Sequence, residues 1–129
     1  MKGIVVTTKN EIGIHDFTTP LYKSIGEVVG GTIEIVRARG LQHPYCMVVN
    51  DEGLLRELPL NSAGSIFYGT SQHGSPIVGD IVLMKEGWTN DGLDFVEFKD
   101  GEAEKLMSTI VNRFSPLVDF KMQGGEHNE

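Results

Sequence analysis

The chain has 129 residues, a hydrophobic fraction of 40% and a formal net charge of −7. This length is typical of one domain, and the acidic balance excludes a protein that tracks the phosphates of duplex DNA over a broad face. The apolar runs fall short of the roughly 20 residues needed to cross a membrane, and a single cysteine, Cys46, excludes an internal disulfide. We therefore expect a cytoplasmic protein, with no membrane contact, in which Cys46 is a buried and unreactive thiol.

The first quarter of the chain predicts two strands followed by a helix. Residues 2–7 are rich in β-branched side chains, and residues 12–17 are compatible with a shorter second strand. Thr19 is expected to cap the helix and Pro20 to occupy its first position, where a missing N–H costs nothing. Gly30 should end this helix because glycine adopts the left-handed conformation without steric cost.

The middle of the chain predicts further strands separated by polar loops. Residues 32–37 alternate between apolar and polar side chains, which is typical of a half-buried strand. Residues 45–50 form the next strand, with residues 54–58 as its hairpin partner. Residues 65–69 fit a short helix or a strand equally well, and residues 77–85 are again strand-like.

The C-terminal part predicts a turn, a strand and a long helix. Residues 87–92 read as a turn that contains Trp88, and residues 93–98 as the last short strand. Asp100 is a candidate N-cap for the final helix. Apolar residues at helical spacing define its buried face: Ala103, Leu106, Met107, Ile110, Val111 and Phe114.

Together these elements predict an α+β fold with one mixed, mainly antiparallel sheet of about five strands and two helices packed on it. The domain should span residues 1–123, and the polar residues 124–129 should form a disordered tail. A second copy of the chain could cover the remaining apolar surface, so we expect a homo-oligomer.

Four separated segments carry a resemblance to a known family. They are IGEVVGGTIEIV at residues 25–36, VNDEG at 49–53, LPLN at 58–61 and IVGDIV at 77–82. Within residues 24–84, their order and spacing resemble the domain of unknown function family 3846, which occurs in phages, plasmids and their bacterial hosts. The resemblance implies no catalytic residue. It implies a phage-type accessory protein, acting in the host cytoplasm, that counters host defence by binding a defence protein or sequestering a nucleotide signal.

One cationic loop stands out in this acidic chain. Arg37, Arg39 and His43 surround Gly40, and Tyr45 follows closely. Arginine suits phosphate because its planar fork bonds two oxygens, and an aromatic ring can stack on a base. A second polar loop could line the same pocket. The predicted ligand-binding residues are Arg37, Arg39, His43, Tyr45, Tyr68, Gln72 and His73.

Motifs for metal binding, phosphate loops and nucleophilic catalysis are incomplete in this sequence. His43 and Cys46 have the spacing of half a zinc site, but no second pair completes it. The glycine-rich segments do not follow a strand as a phosphate loop would, and there is no G-x-S-x-G elbow. We therefore predict no metal, no cofactor and no catalytic residue.

Three functional hypotheses remain open from the sequence. The first is a non-enzymatic protein that binds and sequesters a small nucleotide signal in the loop pocket. The alternative is an acidic inhibitor of a host defence or nucleic-acid-handling protein, which would use Asp51, Glu52, Asp91, Asp94 and Glu97. The third is a nucleotide-cleaving enzyme that uses His43, His73 and Asp80. Trp88 is either tucked against the core or an exposed interface anchor.

Overall fold

The computed structural model describes residues 1–69 and 75–123, which form seven strands and three helices. In chain order the elements are β1 (Lys2–Val6), β2 (Glu11–Asp16), α1 (Leu21–Val29), β3 (Ile33–Val36), β4 (Tyr45–Asn50), α2 (Ser62–Tyr68), β5 (Ile81–Thr89), β6 (Gly92–Val96), α3 (Glu102–Phe114) and β7 (Lys121–Met122). All strand pairs are antiparallel except β2 with β7. The prediction of an α+β fold with a mixed, mainly antiparallel sheet is confirmed.

The strands form one open sheet in the order β3-β4-β5-β1-β2-β7, with β6 paired to β5. Strand β5 is nine residues long, and two neighbouring strands pair with successive parts of the same edge. Its first half pairs with β1 and its second half with β6. The β5–β6 hairpin therefore projects beyond the end of β1.

Helices cover both faces of the sheet, and each face has its own apolar cluster. On the first face, α1 packs over β3, β4 and β5, and Ile25 and Val29 share a cluster with Cys46 and Val48. On the opposite face, α2 and α3 pack against the alternate residues of the same strands, such as Met47. We call these the α1 face and the α3 face. Because both faces are buried, β4 reads as a continuous apolar run.

Helix α1 ends as predicted but begins differently. Gly30 adopts the left-handed conformation with φ 89° and its N–H donates to the Gly26 carbonyl, as the sequence predicts. Pro20, which was expected inside the helix, is the N-cap residue, and the expected side-chain cap from Thr19 was wrong because no side chain caps this end. Instead, the Ser24 hydroxyl donates to the Thr18 carbonyl at 2.7 Å and ties the preceding segment to the first turn.

The alternative left open at residues 65–69 is settled in favour of a helix, because α2 runs from Ser62 to Tyr68. Asn61, the N-cap residue, accepts the Gly64 N–H on its side-chain oxygen at 2.8 Å. The Asn61 amide also donates to the carbonyls of Val6 and Gly79 at 3.0 and 2.9 Å, so one buried side chain joins α2, β1 and the entry to β5. This contact fixes α2 on the α3 face.

The predicted strand at residues 54–58 was wrong. Residues 51–57 form consecutive turns, and their backbone groups bond locally: the Arg56 N–H donates to the Glu52 carbonyl, and the Leu58 N–H donates to the Gly53 carbonyl. These local bonds replace the ladder that a hairpin with β4 would need. Leu54 and Leu55 are consequently exposed.

The C-terminal elements differ from prediction at their boundaries. The β5–β6 turn consists of Asn90 and Asp91, so Trp88 lies on strand β5 and not in a turn. The N-cap of α3 is Gly101, with φ 76°, and not Asp100. The predicted apolar face of α3 is confirmed, since Ala103, Ile110 and Phe114 are buried. The predicted disordered tail, residues 124–129, lies outside the described residues.

Candidate functional site

Arg37, the first cation of the predicted loop, is paired with a buried carboxylate. Its Nε donates to Glu86 Oε1 at 3.1 Å and its Nη2 donates to Glu86 Oε2 at 2.6 Å. The Glu86 side chain is only 4% exposed. A bidentate pair of this kind uses the edge of the guanidinium that would otherwise grip a phosphate, and it offsets the charge.

Tyr45 is likewise committed to a neighbour. Its hydroxyl donates to Glu102 Oε2 at 2.6 Å, and its ring stacks on Phe98. Glu102 also accepts from Lys85 Nζ and from the Lys99 N–H, both at 2.8 Å. Burial and the Glu102 hydrogen bond raise the pKa of Tyr45 to about 12. The hydrogen bonds from Lys85 and Tyr45 lower the pKa of Glu102 to about 2.

The remaining predicted ligand residues do not converge on one pocket within the described chain. Arg39 and His43 are exposed on the loop between β3 and β4. Tyr68 lines a different cleft, described below. Gln72 and His73 lie outside the described residues. The described lining of the Tyr68 cleft contains none of Arg37, Arg39, His43 and Tyr45.

A small groove does lie beside the predicted loop, between residues 40–45 and α3. Its volume is about 170 Å³, and its polar rim includes Gln42 and Arg113. Arg113 Nη1 is 3.5 Å from the Gly40 carbonyl, and the guanidinium lies over the Phe114 ring at 5.1 Å. Sequence reasoning missed Arg113, because its only signal was a cation in the last turn of the final helix.

The cleft that contains Tyr68 has about 400 Å³ and an acidic rim. Glu34, Asp51 and Glu52 supply carboxylates, and the walls are mostly aliphatic, with Leu54 and Leu55 at the edge. Three carboxylates repel phosphate oxygens, so this cleft is unsuited to a nucleotide. Tyr68 therefore lies in an acidic cleft, apart from the cations of the predicted loop.

Trp88 is an exposed aromatic side chain on a strand. It is 80% exposed, and its cross-strand partner Leu93 is 40% exposed. The alternation that buries Val82 and Met84 under α1 places Trp88 on the same α1 face, beyond the reach of the helix. Of the two alternatives for Trp88, the structure shows the exposed one.

Packing and turn hydrogen bonds hold the β5–β6 hairpin together. Phe95 packs against the apolar cluster of the α1 face, the Thr89 hydroxyl donates to the Gly92 carbonyl at 2.8 Å, and the Asp91 N–H donates to the Thr89 hydroxyl at 3.1 Å. Trp88 therefore lies on a hairpin whose backbone is held by these contacts.

Acidic residues flank Trp88 in the chain. Every charged residue between Lys85 and Lys99 is a carboxylate. Glu86 is paired with Arg37, which leaves Asp91, Asp94 and Glu97, all exposed. Asp94 pairs with Gly87, so by strand alternation it lies on the face opposite Trp88. We call Trp88, Leu93, Asp91 and Glu97 the hairpin patch. It is an apolar centre with an acidic border.

Residues that could support catalysis are placed in structural roles or stand apart. Asp80 Oδ1 accepts the Thr8 N–H at 3.0 Å, His43 is exposed, and His73 lies outside the described residues. Cys46 is buried as predicted, and burial raises its pKa to about 12. Among residues 1–69 and 75–123, no cluster of three or more histidine, cysteine or carboxylate side chains could hold a metal ion, and no helix is long and apolar enough to cross a membrane.

Comparison with known proteins places the chain by family alone. No curated protein and no solved structure matches it. A family profile matches residues 1–111 of the 129, which extends the predicted resemblance through the hairpin patch and most of α3. The chain therefore belongs to the family described as Domain of unknown function (DUF3846).

Proposed function

We propose that this chain is a non-enzymatic accessory protein that inhibits a partner protein by docking against a basic surface on it. The observation that carries the proposal is Trp88, 80% exposed on strand β5, with the exposed carboxylates Asp91 and Glu97 close to it in the same hairpin segment. This corresponds to the acidic inhibitor among the functions that the sequence left open. In the setting that family membership implies, the partner would be a defence or nucleic-acid-handling protein.

The anatomy of the hairpin patch resembles that of protein interfaces. Tryptophan is among the residues most enriched at binding hot spots, and it buries about 150–250 Å² when it is covered. Leu93 lies directly across the ladder and extends the apolar centre. A polar border around an apolar centre is the usual arrangement of such surfaces.

Affinity capture followed by reconstitution tests this proposal. The immobilised chain is incubated with bacterial lysate, and each captured protein is purified and titrated against wild type, Trp88→Ala and Leu117→Ala. Leu117 is 70% exposed and serves as the matched control. We expect Trp88→Ala to weaken binding at least about tenfold, as hot-spot truncations do, and Leu117→Ala to bind like wild type. Equal binding by all three would refute the proposal.

Sequestration of a nucleotide signal is the second candidate, and it rests on a narrower observation. The groove beside residues 40–45 has Arg113 at its rim and lies next to Arg39 and His43 in the chain. With Arg37 and Tyr45 bound to carboxylates, fewer groups remain for a phosphate than the sequence suggested. Thermal shift against cyclic oligonucleotides and ADP-ribose derivatives tests it. A ligand that stabilises wild type but neither Arg39→Ala nor Arg113→Ala would support this candidate, and no stabilisation by any ligand would remove it.

A further inference from the structure

One outward backbone donor on the outer edge of β6 is already bound to a side chain. The Glu86 N–H donates to the Pro44 carbonyl at 2.7 Å, so the backbone groups of Glu86 point toward β4. By the alternation of an antiparallel ladder, its partner Phe95 points its own groups away from β5, to the outside of the sheet. There the Phe95 N–H donates to Asp94 Oδ1 at 2.7 Å. Asp94 therefore occupies a donor that an incoming strand would need.

The charges of the hairpin patch disfavour a second copy of this chain as its occupant. Two copies meeting through their patches would bring Asp91 and Glu97 of each together, and like charges across an interface cost free energy. Arg37, a cation on the same face of the sheet, is held by Glu86. A partner of opposite charge satisfies the same border without that repulsion.

On the assumption that the proposed function is correct, we propose that the partner engages the face of the hairpin and not its edge, through an apolar socket rimmed by amino or guanidinium groups. The indole of Trp88 enters the socket, Leu93 closes one side of it, and the rim cations face Asp91 and Glu97. Shape and charge then act together. The apolar socket desolvates the indole ring, and the cationic rim distinguishes this socket from apolar sockets without complementary charge.

A synthetic host tests this chemistry without a natural partner. β-Cyclodextrin has an apolar cavity that admits an aromatic ring, and its derivative with a primary amine on each glucose carries a cationic rim. Both are titrated at low ionic strength while the indole N–H of Trp88, the sole tryptophan, is followed by nuclear magnetic resonance. We expect the aminated host to bind at least about fivefold more tightly than the neutral host, and added salt to reduce the difference.

Two variants make the result specific. In the combined variant Asp91→Asn and Glu97→Gln, both hosts should bind equally. In Tyr22→Ala, which removes another exposed aromatic ring, the preference at Trp88 should persist. Equal binding of the two hosts to wild type, or a preference that persists in the combined variant, would overturn the cationic socket alone. If neither host changes the indole N–H signal of Trp88, the result would also contradict the proposed function, which rests on binding through Trp88.

Discussion

At the scale of single residues, two of the side chains predicted to line a ligand pocket, Arg37 and Tyr45, instead form contacts that stabilise the fold. Arg37 offsets the buried charge of Glu86, and Tyr45 joins Lys85 in binding Glu102. Arginine and tyrosine are residue types that bind anions well. The anions turned out to be carboxylates of the same chain, brought from 49 and 57 residues away. No local sequence pattern carries such a pairing.

Asn61 should be a strong determinant of stability. It is fully buried, and its side chain makes hydrogen bonds to Val6, Gly79 and Gly64. Asn61→Ala removes a helix cap and three buried hydrogen bonds, so we expect a loss of about 3 kcal/mol or more in the free energy of unfolding. Urea denaturation measures it. Asn112→Ala, at an exposed site in α3, should change stability by less than about 0.5 kcal/mol.

Glu102 should make stability depend on acid. Its pKa is lowered from 4.5 to about 2 in the folded chain, chiefly by the hydrogen bond from Lys85. A carboxyl with a lowered pKa stabilises the fold fully above its unfolded pKa, and that contribution disappears as the pH falls through its folded pKa. Between about pH 4.5 and 2, wild type should therefore lose stability more steeply than Glu102→Gln.

The control for this experiment is Glu104→Gln. Glu104 is 55% exposed and lies 3.7 Å from Lys2, so its variant should follow the wild-type slope. Denaturant titrations at several acidic pH values provide the comparison. A Glu102→Gln slope equal to that of wild type would show that the Lys85 and Tyr45 contacts do not persist in solution.

At the scale of elements, hydrophobic periodicity predicted the helices and strands that are stabilised by burial, and it missed the turns that are set by local hydrogen bonds. The apolar faces of α1 and α3 and the strands β1, β3 and β4 follow from patterns of burial, so their existence could be read from the sequence. The turns at residues 51–57 could not, because an apolar pair at Leu54 and Leu55 imitates a strand. Trp88 was assigned to a turn because its neighbours are glycine and polar residues, yet the turn itself needs only Asn90 and Asp91.

The outer edge of β6 should promote self-association when Asp94 is replaced by alanine. In the wild type the Phe95 N–H donates to the Asp94 carboxylate at 2.7 Å. Asp94→Ala frees this N–H and removes one charge from an exposed edge strand. We expect concentration-dependent self-association of this variant, measured by sedimentation velocity against wild type. Asp91→Ala removes the same charge without touching the edge and should sediment like wild type. Identical behaviour of the two variants would mean that net charge, and not edge closure, controls association.

At the scale of the whole molecule, the two apolar clusters share the strands that separate them. Val48 belongs to the α1 face and its neighbours Met47 and Val49 to the α3 face. A sheet whose strands are common to both layers cannot lose one layer and keep the other intact. The family profile covers the elements of both layers, from β1 into α3.

Truncations on opposite faces should therefore act on one unfolding transition. Ile25→Ala and Phe67→Ala remove fully buried side chains from the α1 face and the α3 face respectively. Each should cost about 3 kcal/mol, and the double variant should equal their sum within about 0.5 kcal/mol because the sites share no partners. Circular dichroism during urea titration should show a single step in every variant. Two separate steps would show that the layers unfold independently.

The position of Trp88 has an optical consequence. The chain has one tryptophan, and that residue is 80% exposed in the folded state. Its indole fluorescence should already lie near the emission wavelength of tryptophan in water, so denaturation should shift the spectrum very little. A blue shift in the native chain would instead report that the ring has been covered. The protein thus contains a reporter that is nearly silent on folding and responds to occupancy of the hairpin patch.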